Sequence, residues 1–232
     1  MTKRLVNEVI ERIATEPDNI NHYREVIRGY EILKDLDLAL KWIGKARELP
    51  VGKNDADLLR RESAFKIEKL EGAVLEQKNR SSSKEELDEL EAELHSLRMD
   101  EAKNLVEKYP TEWTYRSDLG KLYDAEGDFD AAIQQFQASQ RSPVLRVSSL
   151  LSLGACFKKK ELYDLAMQQF ETAKSELPMM DEQKKEVIYE LALCYESMDN
   201  AKAAGEEFKL IYAADIGFRD VAEKVNKLYS NS

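Results

Sequence analysis

The stretch that decides the fold is Leu153–Pro178, LGACFKKKELYDLAMQQFETAKSELP. Thirty-four residues earlier, Leu119–Pro143 reads LGKLYDAEGDFDAAIQQFQASQRSP. Both open on leucine and glycine, continue to an aromatic, reach an Ala-x-Gln-Gln-Phe run and close on proline. A chain that repeats itself at this interval is built from stacked copies of one small unit.

The prolines extend the pattern. Pro17, Pro50, Pro110, Pro143 and Pro178 are spaced by 33, 60, 33 and 35 residues. Proline removes a helix hydrogen bond and clashes with the preceding turn, so regular prolines mark helix ends. Between them apolar residues recur at three and four, as in amphipathic helices. With only nine glycines in 232 residues, the chain has few helix breakers.

The aligned positions give the packing logic. Leu150, Leu153, Gly154 and Phe157 fall on one helix, with Ala166, Phe170, Ala173 and Pro178 on and after the next. Their equivalents one unit earlier are Arg116, Leu119, Gly120, Tyr123, Ala132, Phe136, Ser139 and Pro143. One unit later they are Ile188, Leu191, Ala192, Tyr195, Ala204, Phe208 and Ile211. Near the start, Tyr23, Val26, Ile27, Tyr30, Ala39, Ile43 and Ala46 follow the same plan. Small residues stand where paired helices must approach, and aromatics fill the space between hairpins. No single hairpin can bury such faces alone, so neighbours must stack.

These residues resemble the tetratricopeptide repeat (TPR) motif: a large residue, leucine, a small residue and an aromatic, then Ala, Phe, Ala and Pro. The resemblance covers most of the chain. It implies an all-α, right-handed solenoid of helical hairpins and a protein-binding role. The expected organisation is an N-terminal helix or partial repeat at 1–18, a repeat at 19–52 and an elongated hairpin at 53–112. Repeats at 113–146, 147–184 and 185–217 follow, then a capping helix at 218–232. Leu5, Val9, Ile10 and Ile13 are expected inward on the first helix, and Val221, Ala222, Val225 and Leu228 on the last.

The long interval between Pro50 and Pro110 predicts two helices, 55–79 and 84–108. With Ala64 at the small position, each arm exceeds a normal repeat by about 16 Å at 1.5 Å per residue. Leu87, Leu90, Leu94 and Leu97 are spaced 3-4-3 and can meet Ile67, Leu70 and Val74 in a short antiparallel coiled coil. Its acidic surface reads either as a solvated spacer or as a prong for a partner or a second copy.

Chemistry is sparse. His22 and His95 are far apart in sequence, and no metal-ligand spacing, phosphate loop or nucleophile elbow occurs. Cys156 and Cys194 occupy equivalent sites in adjacent repeats, about 10 Å apart at helix packing distance. They are expected as buried free thiols. The expectation is a non-catalytic protein with no cofactor and no metal. A net charge of −10 argues against nucleic acid, and Lys158, Lys159 and Lys160 read as a solvated helix end. No apolar run is long enough to span a membrane and the N-terminus lacks a signal-peptide core, so the default location is cytoplasmic provided that Met1 is the true start of the gene product.

TPR arrays bind peptides or helices on the concave face lined by the first helix of each repeat, so the resemblance assigns candidate groove positions. These are Lys121, then Ser148, Leu151, Ser152 and Ala155, then Tyr189 and Leu193. Lys121, Ala155 and Leu193 stand where chaperone-binding relatives use Asn or Arg to grip a C-terminal carboxylate, which argues against chaperone tails. The strip suits an apolar or amphipathic protein segment. The alternative role is a self-associating module, forming a homo-oligomer or scaffolding a longer protein.

Overall fold

The computed structural model describes residues 2–80 and 83–230, with side chains described for residues 3–80 and 83–227. Twelve helices occur among the described residues: α1 Thr2–Thr15, α2 Ile20–Ile32, α3 Leu36–Glu48, α4 Ala56–Arg80, α5 Lys84–Lys108, α6 Trp113–Glu126, α7 Phe129–Ser139, α8 Arg146–Lys159, α9 Tyr163–Glu176, α10 Glu182–Ser197, α11 Ala201–Ala214 and α12 Val221–Ser230. No strand occurs among them. The chain divides into two compact units, residues 1–101 and 102–232, and the division falls within α5.

In the first unit α1 packs on the α2–α3 hairpin. Val6, Val9 and Ile13 share a core with Tyr23, Val26, Ile27, Ala39, Ile43, Ala46 and, from α4, Leu58 and Phe65. Val9 and Ile13 are inward as expected and Ile10 packs half-buried on the core, but the first inward residue of α1 differs from expectation: Val6 is buried and Leu5 is exposed. Gly29 sets this register, because a Cβ there would lie 2.2 Å from Val6 Cγ2. The close approach therefore selects Val6 as the inward residue.

α4 and α5 run antiparallel. Arg98 pairs with Glu71 at 2.6 Å and Lys78 with Glu91 at 2.7 Å, while Val74 and Leu94 are buried between them. Leu87, Leu90, Leu97, Ile67 and Leu70 are half-buried. Ala64 is exposed and does not take the small close-contact position, since its neighbour Phe65 is the buried residue. Phe65 is too large for a glycine-like approach, so this hairpin departs from the packing of the others.

The second unit stacks three hairpins, α6–α7, α8–α9 and α10–α11, followed by α12. Each apolar cluster joins one hairpin to the next: Ala132, Ile133 and Phe136 meet Leu153 and Cys156, and Leu150, Ala166 and Phe170 meet Val187, Leu191 and Cys194. Gly120 and Gly154 lie directly against Phe136 and Phe170, where a Cβ would come within 2.8 Å and 2.4 Å of the rings. Val221 and Val225 of α12 seal the last hairpin; Leu228 lies outside the residues whose side chains are described.

The turns within hairpins repeat too. Lys34, Gly127, Glu161 and Asp199 have φ of 58°, 83°, 59° and 57°, one left-handed residue per turn. The next residue caps the second helix. Asp35, Asp128 and Asn200 each accept the backbone N–H three residues on, at 3.1, 3.1 and 3.2 Å. Leu162 holds that place before α9 and provides no cap.

Candidate partner-binding face

Within the second unit, the expected groove residues lie on the first helices of the three hairpins. Lys121 is exposed on α6 and pairs within its own helix with Asp118 at 2.9 Å. On α8, Ser148 is exposed and Leu151, Ser152 and Ala155 are half-buried. Leu151 packs one edge on the α8–α9–α10 core, and the Ser148 hydroxyl donates to the Leu145 carbonyl at 2.8 Å. Leu193, on α10, is half-buried beside the last core cluster.

Ion pairs bridge these helices at repeat spacing. Lys159 of α8 reaches Asp124 of α6 at 2.7 Å, and Lys158 reaches Glu190 of α10 at 2.7 Å. Lys160 pairs with Asp130. The lysine run is thus neutralised residue by residue and offers no basic patch. The α8 strip of Ser148, Leu151, Ser152 and Ala155 is left uncharged, flanked by satisfied ion pairs.

Tyr189 is not an open groove residue. It is 8% exposed, covered by the segment that leads into α12. Its hydroxyl donates to Asp220 Oδ1 at 2.7 Å, and its ring meets Phe208 and Phe218 edge-on with centroids 5.8 and 6.0 Å away. The Arg219 guanidinium lies 4.6 Å above the ring and pairs with Glu186 at 2.6 Å and Glu190 at 3.7 Å. Burial and the Asp220 carboxylate together push the phenol up to about 12. Lys185 anchors the same segment through Asp215 at 2.7 Å. The chain itself therefore fills the α10 position. Residues 215–220 (DIGFRD) have no helical periodicity, so the sequence carried no signal that they would fold back here.

Cys156 and Cys194 are free and buried. Burial, then the charge of Asp124, pushes the Cys156 thiol up to about 12; its Sγ donates to Asp124 Oδ1 at 3.5 Å. Burial pushes Cys194 up to about 11. Neither is poised as a thiolate nucleophile at neutral pH. Among the described residues no group of three or more His, Cys, Asp or Glu could hold a metal ion, and no helix is long and apolar enough to cross a membrane.

No protein-family model and no curated protein sequence matches the chain. Solved structures do. YrrB, described as a TPR protein with an unusual peptide-binding site, aligns over 94% of this chain and 97% of its own, with a TM-score of 0.59 and 14% identity. MamA aligns over 88% of this chain and 97% of its own, at TM-score 0.53 and 16% identity. The C-terminal part of a TPR repeat-containing protein from Cytophaga hutchinsonii aligns over 96% of this chain and 78% of its own, at TM-score 0.56 and 16% identity. At these identities the likeness concerns the fold, and it agrees with the Gly–Phe contacts, the repeated turns and the shared cores. The chain has the tetratricopeptide-repeat fold, an all-α array of stacked helical hairpins.

Proposed function

We propose that the protein is a non-catalytic interaction scaffold that receives a peptide or helix of another protein along the first-helix face of its second unit. The observation that carries this reading is the uncharged strip of Ser148, Leu151, Ser152 and Ala155 on α8. It is part apolar and part hydroxyl, and the ion pairs beside it are already satisfied, which suits an apolar or amphipathic segment. Lys121 on one side and Leu193 on the other extend it, whereas Tyr189 serves the fold. The comparison with YrrB supports the reading only in that the same fold carries a peptide-binding site there.

A self-associating role is the second reading. Leu75, 62% exposed next to the buried Val74 on α4, favours it. Affinity capture with the intact chain, with Leu151→Arg and with Leu75→Glu separates the two. For a scaffold, partner protein is lost with Leu151→Arg and kept with Leu75→Glu. Recovery only of the chain itself, abolished by Leu75→Glu, would replace that role with self-association.

A further inference from the structure

A second surface of the second unit has a different chemistry. Trp113 and Arg116 of α6 and Gln134, Gln137 and Arg141 of the α7 side, with Pro110, line a depression of about 410 Å³. Arg116 is held in place by neutral groups only: Nε donates to the Pro110 carbonyl at 3.3 Å and Nη1 to Gln135 Oε1 at 3.2 Å. The Arg141 guanidinium lies 6.0 Å above the Trp113 ring. A guanidinium drawn to an indole face by cation–π attraction keeps its N–H donors available.

Among the described residues neither arginine has an ion-pair partner, which is true also of Arg12 and Arg28, in a chain of net charge −10 where Arg24, Arg47, Arg61, Arg98, Arg146 and Arg219 each rest on a carboxylate. The helix dipole accounts for Arg141, which follows the end of α7, but it opposes a cation in the first turn of α6, where Arg116 stands. Glu112, the residue before α6, neither caps that helix nor pairs with Arg116. Two guanidinium groups without an ion-pair partner, beside a half-buried tryptophan, form the complement of an anion joined to an apolar group.

We infer that this depression binds acidic peptide segments, a carboxylate bridging Arg116 and Arg141 while a neighbouring apolar side chain rests on Trp113. The site is separate from the α8 strip, and its failure would leave the proposed scaffold role untouched.

The test is an NMR titration of the full chain, following the indole N–H resonances of Trp113 and Trp42. The probe is a blocked peptide Asp-Asp-Phe-Asp, and the control is its Asn-Asn-Phe-Asn counterpart. The acidic peptide should shift Trp113 and leave Trp42 in place, with the amide control inert and binding weakened by added salt. Arg141→Gln, at an exposed residue where folding is not at stake, should weaken binding about tenfold or more, and Arg116→Gln likewise. Leu151→Arg should leave it unchanged. An unshifted Trp113 at millimolar peptide, or equal affinity for Arg141→Gln, would overturn the site. An equal response to inorganic phosphate would overturn the peptide assignment in favour of a free-anion site.

Discussion

At the residue scale, two glycines of the same type have opposite meanings. Gly154 is in contact with Phe170, and a methyl there would sit 2.4 Å from the ring. Gly154→Ala should destabilise the chain by about 1–3 kcal/mol through overpacking. Gly44 lies within α3, and a methyl there would meet nothing within 4 Å, so Gly44→Ala should stabilise by about 0.5–1 kcal/mol. Thermal denaturation of the two variants, moving in opposite directions, checks both; a harmless Gly154→Ala would contradict the stacking. The thiols give an independent check. With Cys156 at about 12 and Cys194 at about 11, neither should react with a disulfide reagent at pH 8 in the folded chain, and both should react once it is unfolded in denaturant.

A close helix approach at Gly154 was legible in the sequence because a small residue recurs at a fixed place in successive units, but its partner was not: the phenylalanines read as filler between hairpins, whereas Phe170 lies against Gly154 within its own hairpin. Leu5 and Val6 were not separable in the same way, since both are apolar and adjacent. Only the absence of a side chain at Gly29, on another helix, decides between them. Tyr189 was misread for a related reason: the motif gives a position on its helix, whereas its cover comes from a segment some thirty residues further on.

At the element scale, the hairpin turns show where this chain falls short of its own pattern. Asp35, Asp128 and Asn200 cap α3, α7 and α11, while Leu162 precedes α9 without capping it, directly after Glu161 in the left-handed region. Leu162→Asp should restore the missing cap and stabilise by about 1 kcal/mol, read as a rise in melting temperature. A drop would mean that Leu162, 39% exposed, contributes more by packing than a cap would return.

The segment before α12 should respond to acid. Hydrogen bonds from Lys185, and then from the Gly217 N–H, hold the Asp215 carboxyl below the usual carboxylate range. A carboxyl lowered on folding contributes its stability fully above the unfolded value, about 4, and loses it as pH falls through the lower folded value. Hydrogen exchange in α12 should therefore be slower in the wild type than in Asp215→Asn at neutral pH, and the difference should vanish in acid. Equal protection at neutral pH would show that Lys185 does not anchor the segment.

At the scale of the whole molecule, the sequence made visible both the repeat and the long helical pair that interrupts it, but not how that pair packs. The all-α fold and three stacked hairpins followed from the proline and aromatic spacing. The elongated α4–α5 pair was legible as two long helices, but Ala64 was assigned a close contact it does not make, because helical spacing alone cannot tell which of two neighbours, Ala64 or Phe65, turns inward. The candidate face was legible on α8, where motif position alone puts a residue on the surface, and hidden on α10, where the chain folds back on itself.

The proposed role stands or falls on the α8 face of the second unit being the working surface. The most direct measurement is photo-crosslinking in cells with a benzophenone amino acid placed at Ser152, on that face, or at Gln168, exposed on α9. A discrete crosslinked protein is predicted from Ser152, lost when Leu151→Arg is added, and none from Gln168. Crosslinks from Gln168 with none from Ser152 would contradict it.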